Sequence, residues 1–146
     1  MSNFHLDLER GVAVENKVIG MIREKYPCAC RILGDFKDYD IWIPEISAGI
    51  EVKYDVRSKE TNNFVIEIES RDSLSGLMTT KAKFWVLYDD KAFCVIKPSE
   101  IIKCIILNKL TYSEFFCSGD NFKKKAFLIK KEMLFKYASK VLNTSI

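Results

Sequence analysis

The segment Asp40-Ile41-Trp42-Ile43 and, beyond the break PEISA, Gly49-Ile50-Glu51-Val52-Lys53 read as two neighbouring strands. Strand alternation sends Ile50 and Val52 to one face and Glu51 and Lys53 to the other. A carboxylate and an ammonium therefore project side by side from an otherwise apolar strand. With Asp40 at the start of the adjacent strand, its carboxylate can converge with that of Glu51. Two carboxylates in one place repel unless a cation sits between them. Hard oxygen ligands with no Cys or His nearby select Mg²⁺ or Mn²⁺ over zinc.

Upstream, residues 7–26 read as a helix, with Leu8, Val12, Ile19, Ile22 and Tyr26 at helical spacing and Pro27 stopping it. Glu15 falls in this apolar stripe, where an unpaired carboxylate is costly; it has either a partner or a task. Strand-like runs follow at Cys28 to Leu33, Tyr39 to Ile43, Gly49 to Tyr54 and Phe64 to Ile68, separated by GDFKD, PEISA and RSKETNN, and together they suggest an antiparallel meander. A second helix is expected over Ser73 to Thr80. Strands at Phe84 to Tyr88 and Ala92 to Ile96 flank the turn pair Asp89-Asp90. Pro98 and Ser99 open a third helix with Ile101, Ile102, Ile105 and Ile106 as its buried stripe. A strand at Ala126 to Ile129 and a helix from about Lys131 to Leu142 end the chain.

At 146 residues, 48% hydrophobic and 29% charged, the sequence fits one globular domain spanning residues 1–146, with no linker or repeat. Its single histidine, His5, excludes the metalloprotease helices, zinc fingers and His-based triads that need more. No apolar run reaches a membrane span, and MSNFHLDLERG lacks the order of a signal peptide, so a cytoplasmic location away from membranes is expected. Cys28, Cys30, Cys94, Cys104 and Cys117, without CxxC spacing, read as buried reduced thiols rather than a metal site. Charge is segregated, with a net of −4 over residues 1–73 and +7 over residues 74–146.

The pattern D-x10-E-x-K resembles the active site of the PD-(D/E)XK nuclease superfamily, the restriction-endonuclease-like fold. In that resemblance Asp40 is the motif aspartate, Glu51 the second acid and Lys53 the lysine. Glu15 matches the first-helix glutamate of the branch with exonuclease-type and Holliday-junction-resolving members. NFVIEIESRDSLSGLMTTKAKFWVLY, residues 63–88, is similar to phage-encoded and resolvase-like members, so the resemblance covers most of residues 7–110. Tyr39 stands in place of the name-giving Pro. Thr79, Thr80 and Lys81 occupy the region where some branches carry a Gln. Asp38 and Asp35 compete with Asp40 for its role.

The resemblance implies an α/β fold with an αβββαβ core, a mixed central sheet flanked by helices, and an extra C-terminal strand and helix. It implies metal-assisted phosphodiester hydrolysis, as an endonuclease in preference to an exonuclease. Asp40, Glu51, the Val52 carbonyl and Glu15 would hold Mg²⁺, with Mn²⁺ able to substitute, and Lys53 would assist the attacking water or the transition state. Glu67 is either a further metal or supporting residue or part of a solvated strand face. Lys81 and Lys83, and the run Lys123, Lys124 and Lys125 before the last strand, are candidate phosphate contacts. DNA is the expected partner, structured RNA remains open, and a homodimer would suit paired cuts. The rivals are a catalytically silent nucleic-acid-binding module of the same fold and a protein-interaction domain whose acids bind no metal.

Overall fold

A computed structural model describes residues 3–34, 36, 38–55, 57–116 and 122–143, with residues 3–8 as backbone only. Asp35 and Cys117 lie outside the described residues, as does the side chain of His5.

The chain begins with helix α1 (Asn3–Arg23). Pro27 disfavours helical geometry at Tyr26, so the helix gives way to a turn in which the Tyr26 amide donates to the Ile22 carbonyl at 2.8 Å. Three strands follow: β1 (Cys30–Arg31), β2 (Ile41–Ile43) and β3 (Ala48–Tyr54), paired antiparallel in sequence. After a short helix α2 (Ser58–Thr61) comes β4 (Asn63–Ser70), which does not extend this meander as the sequence suggested. It leaves the sheet and founds another. The connection continues through β5 (Ser73–Leu74) and a 3-10 turn at Gly76–Met78, so the helix expected over Ser73 to Thr80 is absent. Gly76 explains this, because its φ of +53° breaks a helix and a Cβ there would come 2.2 Å from the Glu67 carbonyl oxygen.

The chain then returns to the first sheet as β6 (Phe84–Tyr88), parallel to β3, and β7 (Ala92–Ile96), antiparallel to β6. Helix α3 (Pro98–Leu107) opens on Pro98 in its first turn. It buries Ile101 and Cys104 but leaves Ile102 and Ile106 exposed, narrowing the stripe read from the sequence. Strand β8 (Ser113–Phe116), unforeseen, and the long β9 (Lys123–Lys130) complete the second sheet, in the order β5-β4-β9-β8. Helix α4 (Lys131–Phe135) is only one turn and a half. The expected continuation to Leu142 is instead β10 (Lys140–Asn143), bound to the edge strand β7 and giving the first sheet the order β1-β2-β3-β6-β7-β10. The fold is α/β with a mixed sheet.

Alternation along the strands makes three layers. Ile50, Val86 and Phe93 face α1, where Val14, Val18 and Ile19 cover them. Trp85, Leu87, Cys94 and Ile96 face the other way and pack on Phe64, Ile66 and Ile129 of the second sheet and on α3 and α4. Cys94 and Cys104 are buried thiols as expected, whereas Cys28 and Cys30 are free and exposed.

The position before Asp40 is set by a glycine. The Tyr39 ring stacks on Trp42 at 5.4 Å and lies so close over Gly49 that a Cβ there would come 2.3 Å from it. Gly49→Ala must therefore displace Tyr39, and it is expected to destabilise the protein by about 1–3 kcal/mol, the usual cost of overpacking. Urea unfolding checks this, and Gly11→Ala, where a Cβ meets nothing within 4 Å, is the control.

Candidate active site

Strands β2 and β3 pair at Ile41 and Ile50, and the Asp40 amide still donates to the Ile50 carbonyl at 2.9 Å. Beyond that point the ladder is continued by a side chain. Asp40 Oδ2 accepts the Val52 N–H at 2.8 Å, satisfying a donor that no strand partner reaches. Because N–H and C=O of one strand residue point the same way, the Val52 carbonyl faces Asp40's side as well.

Glu51 and Lys53 project toward the second sheet. Lys53 Nζ lies 3.2 Å from Glu51 Oε1 and 5.7 Å from the centre of the Trp85 ring. Together they line a polar cavity of about 400 Å³ that also takes in Asp38, Glu67, Thr80 and Lys81. Thr80 is fixed there by the Trp85 indole N–H, which donates to its hydroxyl at 2.9 Å. Glu67 Oε2 accepts the Ser75 hydroxyl at 2.8 Å, and its other oxygen lies 3.6 Å from Lys124 Nζ.

Glu15 reaches the same region from α1, on the opposite face of the sheet. Its carboxylate pairs with Arg31 Nε of β1 at 2.7 Å. Burial pushes the Glu15 carboxyl above its ordinary range and the charge on Asp40 adds to this, with Arg31 opposing. Burial likewise pushes Glu51 up; Lys53 opposes it, and Asp40 and Glu15 add to it. Each of these two acids thus feels the charge of Asp40, although Glu15 and Glu51 lie on opposite faces of the sheet.

Whether this set suits a hard divalent cation is a question of donor chemistry. All the donors are oxygens, two of the acids are partly desolvated, and their repulsion is of the kind a bound cation relieves. Among the described residues no three His, Cys, Asp or Glu side chains form a ready cage. Mg²⁺ does not demand one, being held commonly by one or two carboxylates with water and substrate phosphate. Asp40, Glu51 and the Val52 carbonyl fit that mode.

No family model, curated protein or solved structure matches this chain.

The structure separates other residues that the sequence grouped. Lys81 lines the polar cavity, whereas Lys83 lies on the opposite face of the sheet, in an apolar groove beside α1. Lys123, Lys124 and Lys125 are not a loop before the last strand but the start of β9 itself. Lys124 pairs with Glu67, and Lys125 with Glu69 at 2.9 Å and Glu114 at 3.6 Å, so two of the three are neutralised within the second sheet. Arg31 is the residue the sequence reading missed. A lone cation in the apolar run Cys28 to Leu33 was the available signal, the natural counterpart of the acid in the α1 stripe. No described helix is long and apolar enough to cross a membrane.

The raised carboxyls carry a prediction with a definite sign. A carboxyl whose pKa is higher in the fold than in the unfolded chain favours folding only while protonated, below the unfolded value of 4.5, and that benefit is lost as pH rises through the folded value. At pH 7 in EDTA, Glu51→Gln is therefore expected to melt at or above the wild-type temperature, with the difference closing toward pH 4. Mg²⁺ should raise the wild-type melting temperature and the variant's much less. Scanning fluorimetry across pH reads both, and a clearly lower melting temperature for the variant in EDTA would make Glu51 a plain ion-pair partner of Lys53.

Proposed function

We propose that the chain is a divalent-metal-dependent nuclease with a restriction-endonuclease-like core, cleaving phosphodiester bonds of DNA in the cytoplasm of a cell or phage-infected host. The order of α1, the antiparallel β1-β2-β3 and β6 parallel to β3 supports this reading, with β4, β5 and the 3-10 turn in place of the expected crossover helix. The observation that carries it is Asp40 anchored on the Val52 amide where β2 and β3 part, beside Glu51 and Lys53 on the next strand.

Asp40, Glu51 and the Val52 carbonyl would hold Mg²⁺ or Mn²⁺, with Glu15 behind them. A cation bound there supplies an acidified water and neutralises charge on the scissile phosphate. Lys53, beside Glu51 at the cavity wall, orients the attacking water or balances the negative charge that grows on the phosphate. Arg31 holds Glu15 in place and tempers the local negative charge. Lys81, exposed at the same cavity, meets a neighbouring phosphate.

The test is incubation with supercoiled, linear, branched and single-stranded DNA and with structured RNA, in Mg²⁺, Mn²⁺ or EDTA. Metal-dependent cleavage of DNA is expected, and paired nicks on a branched substrate would indicate a homodimer acting as a resolvase-like enzyme. Cleavage of RNA alone would move the substrate class, and binding without cleavage in either metal would leave the silent module. Absence of both binding and cleavage would refute the reading. The two faces of the sheet give a further expectation. Lys81→Gln should reduce the log-log salt slope of DNA binding by up to ~0.9, the value of one phosphate contact, and Lys83→Gln should leave it unchanged.

A further inference from the structure

On the face of the first sheet away from Glu51 and Lys53, α1 covers only part of the floor. Beside it runs a groove of about 540 Å³, with Val18 and Ile22 as one wall and Ile50, Val86 and Phe93 as floor. Its polar side chains are mostly cationic: Lys25 from the turn after α1, Lys83 before β6 and Lys140 of β10. No carboxylate lines it, and none of the three ammonium groups is in an ion pair among the described residues. An apolar trough edged by three unneutralised cations is complementary to a molecule with an alkyl body and an anionic head.

We propose that this groove binds a single-chain amphiphilic carboxylate, its alkyl chain on Ile50, Val86 and Phe93 and its head among Lys25, Lys83 and Lys140. The occupant follows from the lining: the charged side chains are all cationic, which selects an anionic head, and the apolar floor takes an uncharged chain. The site stands apart from the nuclease reading, since it shares no residue with the polar cavity.

Isothermal titration of the whole chain with dodecanoate, below its micelle-forming concentration, tests this against dodecanol and dodecyltrimethylammonium. Saturable one-to-one binding of dodecanoate is expected, with both controls weaker by roughly tenfold, as befits hydrogen bonds to a charged group. The triple substitution Lys25→Gln, Lys83→Gln, Lys140→Gln should abolish the head-group preference. Val95→Trp should block binding, because Val95, half-buried in β7 between Val86 and Lys140, presents its side chain to the groove. Should that variant fail to fold, the head-group comparison on the unaltered chain decides. Absence of saturable binding, equal affinity for the carboxylate and ammonium amphiphiles, or preference for an acidic amphipathic peptide would overturn the proposal.

Discussion

Lys53→Ala is expected to lower the rate of metal-dependent cleavage by about 10²–10³-fold while leaving metal binding largely intact. Glu51 and Lys53 adjoin in space but differ in role. Glu51 would serve as an oxygen donor, so its neutralisation should remove affinity for the cation. Lys53 is the counter-charge rather than an oxygen donor, and it stands 3.2 Å from Glu51 with its side chain half exposed to the cavity. Its charge is therefore available to a phosphate or to a water about to attack one. Loss of an interaction made chiefly in the transition state lowers kcat and kcat/KM together, whereas loss of a ligand raises the metal concentration required. Single-turnover cleavage at saturating Mn²⁺, with calorimetry for the metal, distinguishes them. A Lys53→Ala protein that cleaves at nearly the normal rate would leave the lysine as a counter-ion only.

Asp89→Ala is expected to be the most damaging single change to stability. Asp89 and Lys131 form an ion pair with both side chains more than nine-tenths buried, and Asp89 also accepts the Lys91 and Ala92 amides at 2.9 and 2.8 Å. Truncating the acid strands an ammonium against the Phe64 ring, 5.8 Å from its centre, and removes the carboxylate that the Lys91 and Ala92 amides donate to. The expected loss is about 3–5 kcal/mol. For a chain of this size that is roughly 10–15 °C in melting temperature. Joint replacement by Asn and Met should recover much of the loss, since most of the cost is the uncompensated charge. The pH dependence runs opposite to that of Glu51. Burial works to raise the Asp89 carboxyl, but Lys131 and the two amides outweigh it and hold it below 3.8. Its contribution is thus complete above 3.8 and disappears as pH falls through the folded value. Acid titration of melting temperature reads the two signs separately.

The parts of the fold written in local alternation were legible from the sequence. Glu51 and Lys53 share a face because they are two apart, and that parity survives any sheet. Phe84 to Tyr88 and Ala92 to Ile96 are strands because aromatic and β-branched residues fill both faces of a buried position. The partner of β4 was not legible. Nothing in residues 63–70 says that their ladder lies with Lys123–Lys130 rather than with β3, a choice made by non-local packing. Val141 and Leu142 follow α4 at a spacing that continues a helix, and the antiparallel ladder with β7, from Lys140 opposite Val95 to Asn143 opposite Ala92, takes them into a strand. At the site, the strand parity of Glu51 and Lys53 and the place of Asp40 beside β3 were readable. The neutralising of Glu15 by Arg31, and of Lys124 and Lys125 by Glu67, Glu69 and Glu114, needed the pairing of strands far apart in sequence.

The second sheet has a consequence for how the protein is made. Asp40, Glu51 and Lys53 belong to strands that can pair once Tyr88 has left the ribosome, whereas β4 waits for β9, whose pairing runs to Asn63 with Lys130. At the usual elongation rate the interval is about 2–8 s. During it, Trp85 and Leu87 face solvent and β4 is an unpaired edge. The nascent chain is therefore most prone to aggregation after its acidic centre is assembled, and a stall between α3 and β9 would release a chain with the strands around Glu51 and Lys53 formed and the apolar residues on that same face uncovered.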